Sequence, residues 1–117
     1  MSIIIQKDIG KVVIDNEVIA RIAGIAAMDC YGIIGMAAKS VKDDVFHLLK
    51  LESLTKGVKL SVENDLIALK LHIIVEYGTN IPAIADSMIN NVKYKIEDAI
   101  GLKVSDIDIY VEGMRVH

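Results

Sequence analysis

Nucleophilic catalysis needs a thiol or hydroxyl beside a base that a third group orients. The 117-residue chain offers one cysteine, Cys30, and three histidines, His47, His72 and His117. None of the histidines is near Cys30 in sequence, and Cys30 closes an apolar stretch, where a thiol behaves as a small hydrophobe. Metal ligation finds no CxxC pair, no HExxH and no acidic loop of calcium type. Asp106, Asp108 and Glu112 are spaced to share one face of a strand, which a hard cation could use, but a solvated acidic row is the commoner meaning of that pattern. Gly32-Ile33-Ile34-Gly35 spells the GxxG with which KH domains clamp a nucleic-acid backbone. The two central positions of that clamp present basic or polar groups, whereas here they are isoleucines in a chain of net charge −3. Gly32 and Gly35 therefore read as structural or assembly positions, where missing side chains let backbones approach. No phosphate-cradling GxxxxGK[ST] or GxGxxG occurs. The expectation is a protein with no catalytic residues, no metal, no cofactor and no nucleic-acid partner.

The elements that carry these residues follow from hydrophobic periodicity. Residues 10–14 read as a strand, and Asp15-Asn16-Glu17 supplies a cap and an acidic first turn for a helix that stops near Tyr31-Gly32. Val18, Ile22 and Ile25, widened by Ile19, Ala23, Ala26 and Ala27, are expected to form its buried stripe. Residues 32–39 read as a strand. Residues 43–51 read as a short helix on the spacing of Val45, Leu48 and Leu49, with strand alternation as the competing pattern. Val58, Leu60 and Val62 alternate with polar residues, and Asn64-Asp65 turns the chain into a second arm carrying Ile67, Leu69, Leu71, Ile73, Val75 and Tyr77 on one face. Ile81-Pro82 opens a second helix with a stripe of Ile84, Ala85, Met88, Val92, Ile96 and Ala99, closed by Gly101. Ile107, Ile109 and Val111 alternate along a last strand.

The order is β-α-β-(α)-β-β-α-β. It predicts one α+β domain over 1–117, with a mixed or antiparallel sheet and both main helices on one face. The opposite face would carry Lys70, His72 and Ile74 beside Asp106, Asp108, Tyr110 and Glu112. That surface is too apolar in places for plain solvent and too polar for a core, and such a face commonly meets a partner.

Composition is consistent with an aliphatic core: 53 % of residues are hydrophobic, Trp is absent and aromatics are 4 %, so Ile, Val, Leu and Ala must fill the interior. One cysteine cannot form an internal disulfide, and the opening residues become charged too early for a signal peptide, so a reducing cytoplasmic setting is expected. The longest apolar run is broken by Lys70 and His72 and is too short to span a bilayer, so any membrane association would be peripheral or borrowed from a partner.

Several segments together resemble the alkaline shock proteins, the general stress or envelope stress response family of Gram-positive bacteria. Gly10-Lys11-Val12-Val13-Ile14 with Glu17-Val18-Ile19 is similar to the family's opening strand and helix, and Cys30-Tyr31-Gly32-Ile33-Ile34-Gly35-Met36-Ala37 to its most recognisable segment. Lys56-Gly57-Val58-Lys59-Leu60, then Ile73-Ile74-Val75-Glu76-Tyr77-Gly78 with Ile81-Pro82, and the strand over 104–113 continue the match in order. The resemblance implies a non-enzymatic cytoplasmic protein that forms homo-oligomers and is linked to the cell envelope through a membrane-anchored protein partner. The chain looks like a short member, without the charged extensions of larger ones. Short members often occur near a fatty-acid or dihydroxyacetone-type kinase, which implies, as the alternative, an accessory or ligand-binding subunit holding an acyl or phosphorylated metabolite between helices and sheet.

Overall fold

The computed structural model describes residues 2–39, 46–48 and 55–116. The chain opens with a hairpin of β1 (Ser2–Lys7) and β2 (Gly10–Asp15), in which Ile3 pairs with Ile14 and Ile5 with Val12. The first of these strands lies outside the expected element order, which begins at residue 10. Ser2-Ile3-Ile4-Ile5 alternates Ile3, which is buried, with Ile4, which is not. The hairpin is a two-stranded sheet of its own.

Helix α1 (Asn16–Met28) starts where the Asp15 carboxylate accepts the Glu17 N–H at 3.1 Å. Its buried face is Ile19, Ala20, Ala23, Gly24, Ala26 and Ala27, so the stripe is rotated from the expected one. Val18 and Ile25 point outward at 48 % and 54 % exposure, and Ile22 is half-buried. Apart from Ile19, the buried face consists of the small residues Ala20, Ala23, Gly24, Ala26 and Ala27, over which neighbouring elements can pack closely.

Strand β3 (Ile33–Lys39) follows a turn at Gly32, and β4 (Phe46–Leu48) pairs antiparallel with its end. Over these three residues the expected short helix gives way to a strand; residues 43–45 and 49–51 of that expectation lie outside the described residues. Hydrogen bonding to β3 decides between two patterns that local spacing cannot separate. β5 (Val58–Glu63) and β6 (Leu66–Glu76) form the predicted hairpin, with Asn64 and Asp65 at φ 52° and 63° in its turn.

β6 is the spine of a five-stranded mixed sheet. β5 pairs with its first half and β3 with its second, both antiparallel, while β7 (Lys103–Arg115) pairs parallel with it from Leu66 to Glu76. Since β7 occupies one edge throughout, β3 and β5 must share the other, end to end. Helix α2 (Ile81–Ile100) is capped by the Asn80 side chain, which accepts the Ala83 N–H, and ends at Gly101 with φ 88°. It buries Ile84, Met88, Val92, Ile96 and Ile100. Against them stand Ile67, Leu69, Leu71, Ile73 and Val75 of β6 in one continuous core, each contributing about 1.5–3 kcal/mol by leaving water. The fold is α+β, with both helices covering one face of the sheet.

Candidate functional site

The face of the sheet turned away from the helices is built by register. Ala68 stands opposite Asp106, Lys70 opposite Asp108 and His72 opposite Tyr110 on β6 and β7, while Lys59 and Ser61 of β5 stand opposite Lys70 and Ala68. Two rows cross the sheet as a result, Lys59–Lys70–Asp108 and Ser61–Ala68–Asp106, with cations at the β5 side and carboxylates at the β7 side. They line a shallow depression of about 410 Å³.

Beyond the depression, His72 and Tyr110 stack with ring centroids 4.9 Å apart and planes 15° from parallel. His72 Nδ1 lies 2.9 Å from Glu112 Oε1. That contact depends on β7 irregularity: the register skips one residue at Ser105 and again at Glu112. The first extra residue is anchored by the Ser105 hydroxyl, which donates to the Ile67 carbonyl at 3.3 Å. The second lets Glu112 reach His72.

Of the residues expected on this face, Lys70, His72, Asp106, Asp108, Tyr110 and Glu112 are brought together. Ile74 is not available there: it pairs with Gly113 and Gly35 and is 3 % exposed. Lys59 and Ser61 are members that the sequence reading misses, although the alternation of Val58, Leu60 and Val62 already puts them on the solvent side of their strand.

The two glycines singled out from sequence have different surroundings. Gly32 adopts φ +87°, and a Cβ placed there would lie 2.6 Å from Ile84 Cδ1 and 3.0 Å from Thr79 Cγ2. Its bareness lets the start of α2 close over the turn. Gly35 is buried where the β3–β6 register shifts, opposite Ile74.

Cys30 lies on the other side of the sheet from His72, packed with the core between α1 and α2. Its Sγ is 3.7 Å from the Ala26 carbonyl oxygen, which also accepts the Asn91 side-chain amide at 2.8 Å. Burial pushes the thiol up from its ordinary value of 9.0; hydrogen bonds with Ser87 and Asn91 oppose this, and Asp29 adds a little to it. That is the setting of a packing thiol, since a nucleophile needs the opposite shift. Among the described residues, no three His, Cys, Asp or Glu side chains converge to hold a metal ion. No helix among the described residues is long and apolar enough to cross a membrane. The contact layer between helices and sheet is closed by Ile19, Leu69, Leu71, Met88 and Ile96, all at 0–1 % exposure, whereas the depression on the open face is accessible from outside.

Comparison with known proteins agrees with this architecture. A MamM CTD variant of solved structure superposes with a TM-score of 0.51 over 85 % of this chain and 98 % of its own, at 13 % identity, a likeness of fold alone. YloU of Bacillus subtilis (strain 168), an uncharacterized protein, is 44 % identical over 117 residues, 99 % of this chain and 98 % of its own length. A stress response regulator gls24 homolog of Streptococcus pyogenes serotype M3 is 28 % identical over 106 residues, and the match spans 59 % of that longer protein. The model of the alkaline shock protein 23 family, described as having a cell envelope-related function, matches residues 4–116, and the chain belongs to that family.

Proposed function

We propose that the protein is a non-enzymatic component of the stress and cell-envelope response that works by self-association and protein docking, with the open face of the sheet as its contact surface. The observation that carries this reading is the charge order of that face, Lys59 and Lys70 on one side and Asp106 and Asp108 on the other. A second copy turned by a two-fold axis presents carboxylates to those lysines and lysines to those carboxylates, the self-complementarity that an isologous contact requires. The His72–Tyr110 stack beside it supplies a flat, partly apolar platform of the kind enriched in interface centres. Family membership and the gls24 homologue support the stress and envelope setting. A membrane-anchored protein partner would then bring the chain to the membrane periphery.

The test is sedimentation velocity across a concentration series. Lys70→Glu and Asp108→Lys should each weaken self-association, because each sets like charges against one another across the two-fold. An equimolar mixture of the two variants should recover it, because every cross-copy pair is then of opposite sign. A wild-type chain that stays monomeric at the highest concentration reached, or a mixture no better than either variant alone, rejects the reading.

A further inference from the structure

The N-terminal hairpin has more apolar surface than its own fold covers. Ile4 and Val13 face each other across the two strands on the outer side, at 57 % and 53 % exposure; Val12 is exposed too, and Ile9 at the tip is wholly uncovered. An isolated two-stranded ribbon is marginal in water, and three strands or a packed helix are normally needed to hold one. Its root is tied down through Ile3, Ile5 and Ile14 against the core. Beside that root runs an outward stripe of α1 in which Val18 and Ile25 are exposed and Ile22 between them is half-buried, lined with Asp15, Glu17 and Arg21, with an apolar hollow of about 340 Å³ along it.

We infer that this hairpin is an exchange arm, which in the assembled protein lies along the α1 stripe of a second copy while receiving that copy's arm on its own. Three features point to a second copy of this chain as the occupant. The dimensions match: strands of six residues reach about 20 Å, and a helix of 13 residues is about 20 Å long. The charges match at the far end of the arm: its tip, residues 7–11, carries Lys7 and Lys11 against one acid, Asp8, whereas the hollow is lined by Glu17 and by Asp15, the last residue of the arm's own root, against one base, Arg21. The apolar surfaces match in kind, aliphatic on both sides, and both occur on the same chain, so exchange satisfies two exposed surfaces at each contact. The inference rests on the self-association proposed above and gives it a second contact, distinct from the open sheet face.

The experiment uses single-cysteine chains in a Cys30→Ala background, so that any crosslink is between copies. Ile9→Cys chains are mixed with Val18→Cys or Ile25→Cys chains and treated with a short bis-maleimide. At least one of the two mixtures should give a mixed dimer several-fold above that of an Ile9→Cys and Asp108→Cys mixture. Ile25→Glu, at an exposed position that leaves folding intact, should raise the dissociation constant of this contact at least tenfold. Self-association that persists without either crosslink overturns the arm exchange and leaves the sheet-face contact standing. Dominance of an Ile9→Cys product with itself also overturns it, since the arms would then meet edge to edge. A chain with no self-association at all removes both.

Discussion

The ring of Tyr110 lies over that of His72 at 4.9 Å between centroids, across the parallel strand pair of the sheet, and Glu112 holds the histidine from the side at 2.9 Å. The stack spans β6 and β7, so it measures how firmly the two are clamped on the open face. A double-mutant cycle of His72→Ala and Tyr110→Ala should return a coupling of about 0.5–1.5 kcal/mol in urea unfolding. His72→Phe keeps a ring for the stack and loses the bond to Glu112, so it should retain most of the coupling to Tyr110. Additive effects of the two alanine substitutions would show that the rings do not interact in solution.

Gly32 should tolerate no side chain. Gly32→Ala imposes both a left-handed backbone and a contact 2.6 Å from Ile84 Cδ1, and should cost about 2–4 kcal/mol. Adding Ile84→Val removes the offending methyl, so the double variant should be more stable than Gly32→Ala alone, although Ile84→Val by itself costs about 0.5–1.5 kcal/mol. Chemical unfolding midpoints of the three variants check the sign.

Asn91 ties the two helices together by donating to the Ala26 carbonyl at 2.8 Å. Asn91→Ala should cost about 1–2 kcal/mol. Asn91→Asp should cost more near neutral pH, because a carboxylate then faces a carbonyl oxygen, and the gap between the two variants should narrow on acidification as the carboxyl becomes a donor. Urea midpoints at pH 7 and pH 4 measure it.

Cys30 gives a pH signature. Burial raises the thiol in the folded chain above 9.0, so the native state keeps a proton that the unfolded chain releases. Its contribution to stability is complete below that value and is lost as pH rises through the native one. Wild type should therefore lose stability more steeply than Cys30→Ala above pH 9, and identical slopes would reject the assignment. The native thiol should also react slowly with Ellman-type reagents.

Much of this architecture is legible in the residues. Asn64-Asp65 between alternating arms marks the central hairpin, and Pro82 and Gly101 bound α2 because each has a conformational reason to stand at a helix end. On α1, Val18 and Ile25 match Ile19 and Ala23 in apolar character, so residue type cannot tell which line α2 will press against. In the fold the burial falls on Ile19, Ala20, Ala23, Gly24, Ala26 and Ala27, a face richer in small residues than the one the spacing suggests. Residues 46–48 illustrate a different limit, since a short apolar run fits either period until a neighbouring strand supplies hydrogen bonds. On the open face, the alternation places Lys70, His72, Asp108 and Tyr110 correctly. It gives no sign that Ile74 is buried or that Glu112 reaches His72 through a skipped register.

Those two interruptions of β7 bear on how the chain survives crowding. Its 13 residues hydrogen-bond to β6 on one side, and among the described residues nothing pairs with the other. A straight rim of that length would invite another strand to zip along it. Kinks at Ser105 and Glu112 throw the donors and acceptors out of step, so an incoming chain could match only a few residues before losing alignment. The molecule is thereby guarded against fibrous growth along its longest border while its flat surface stays open to contact.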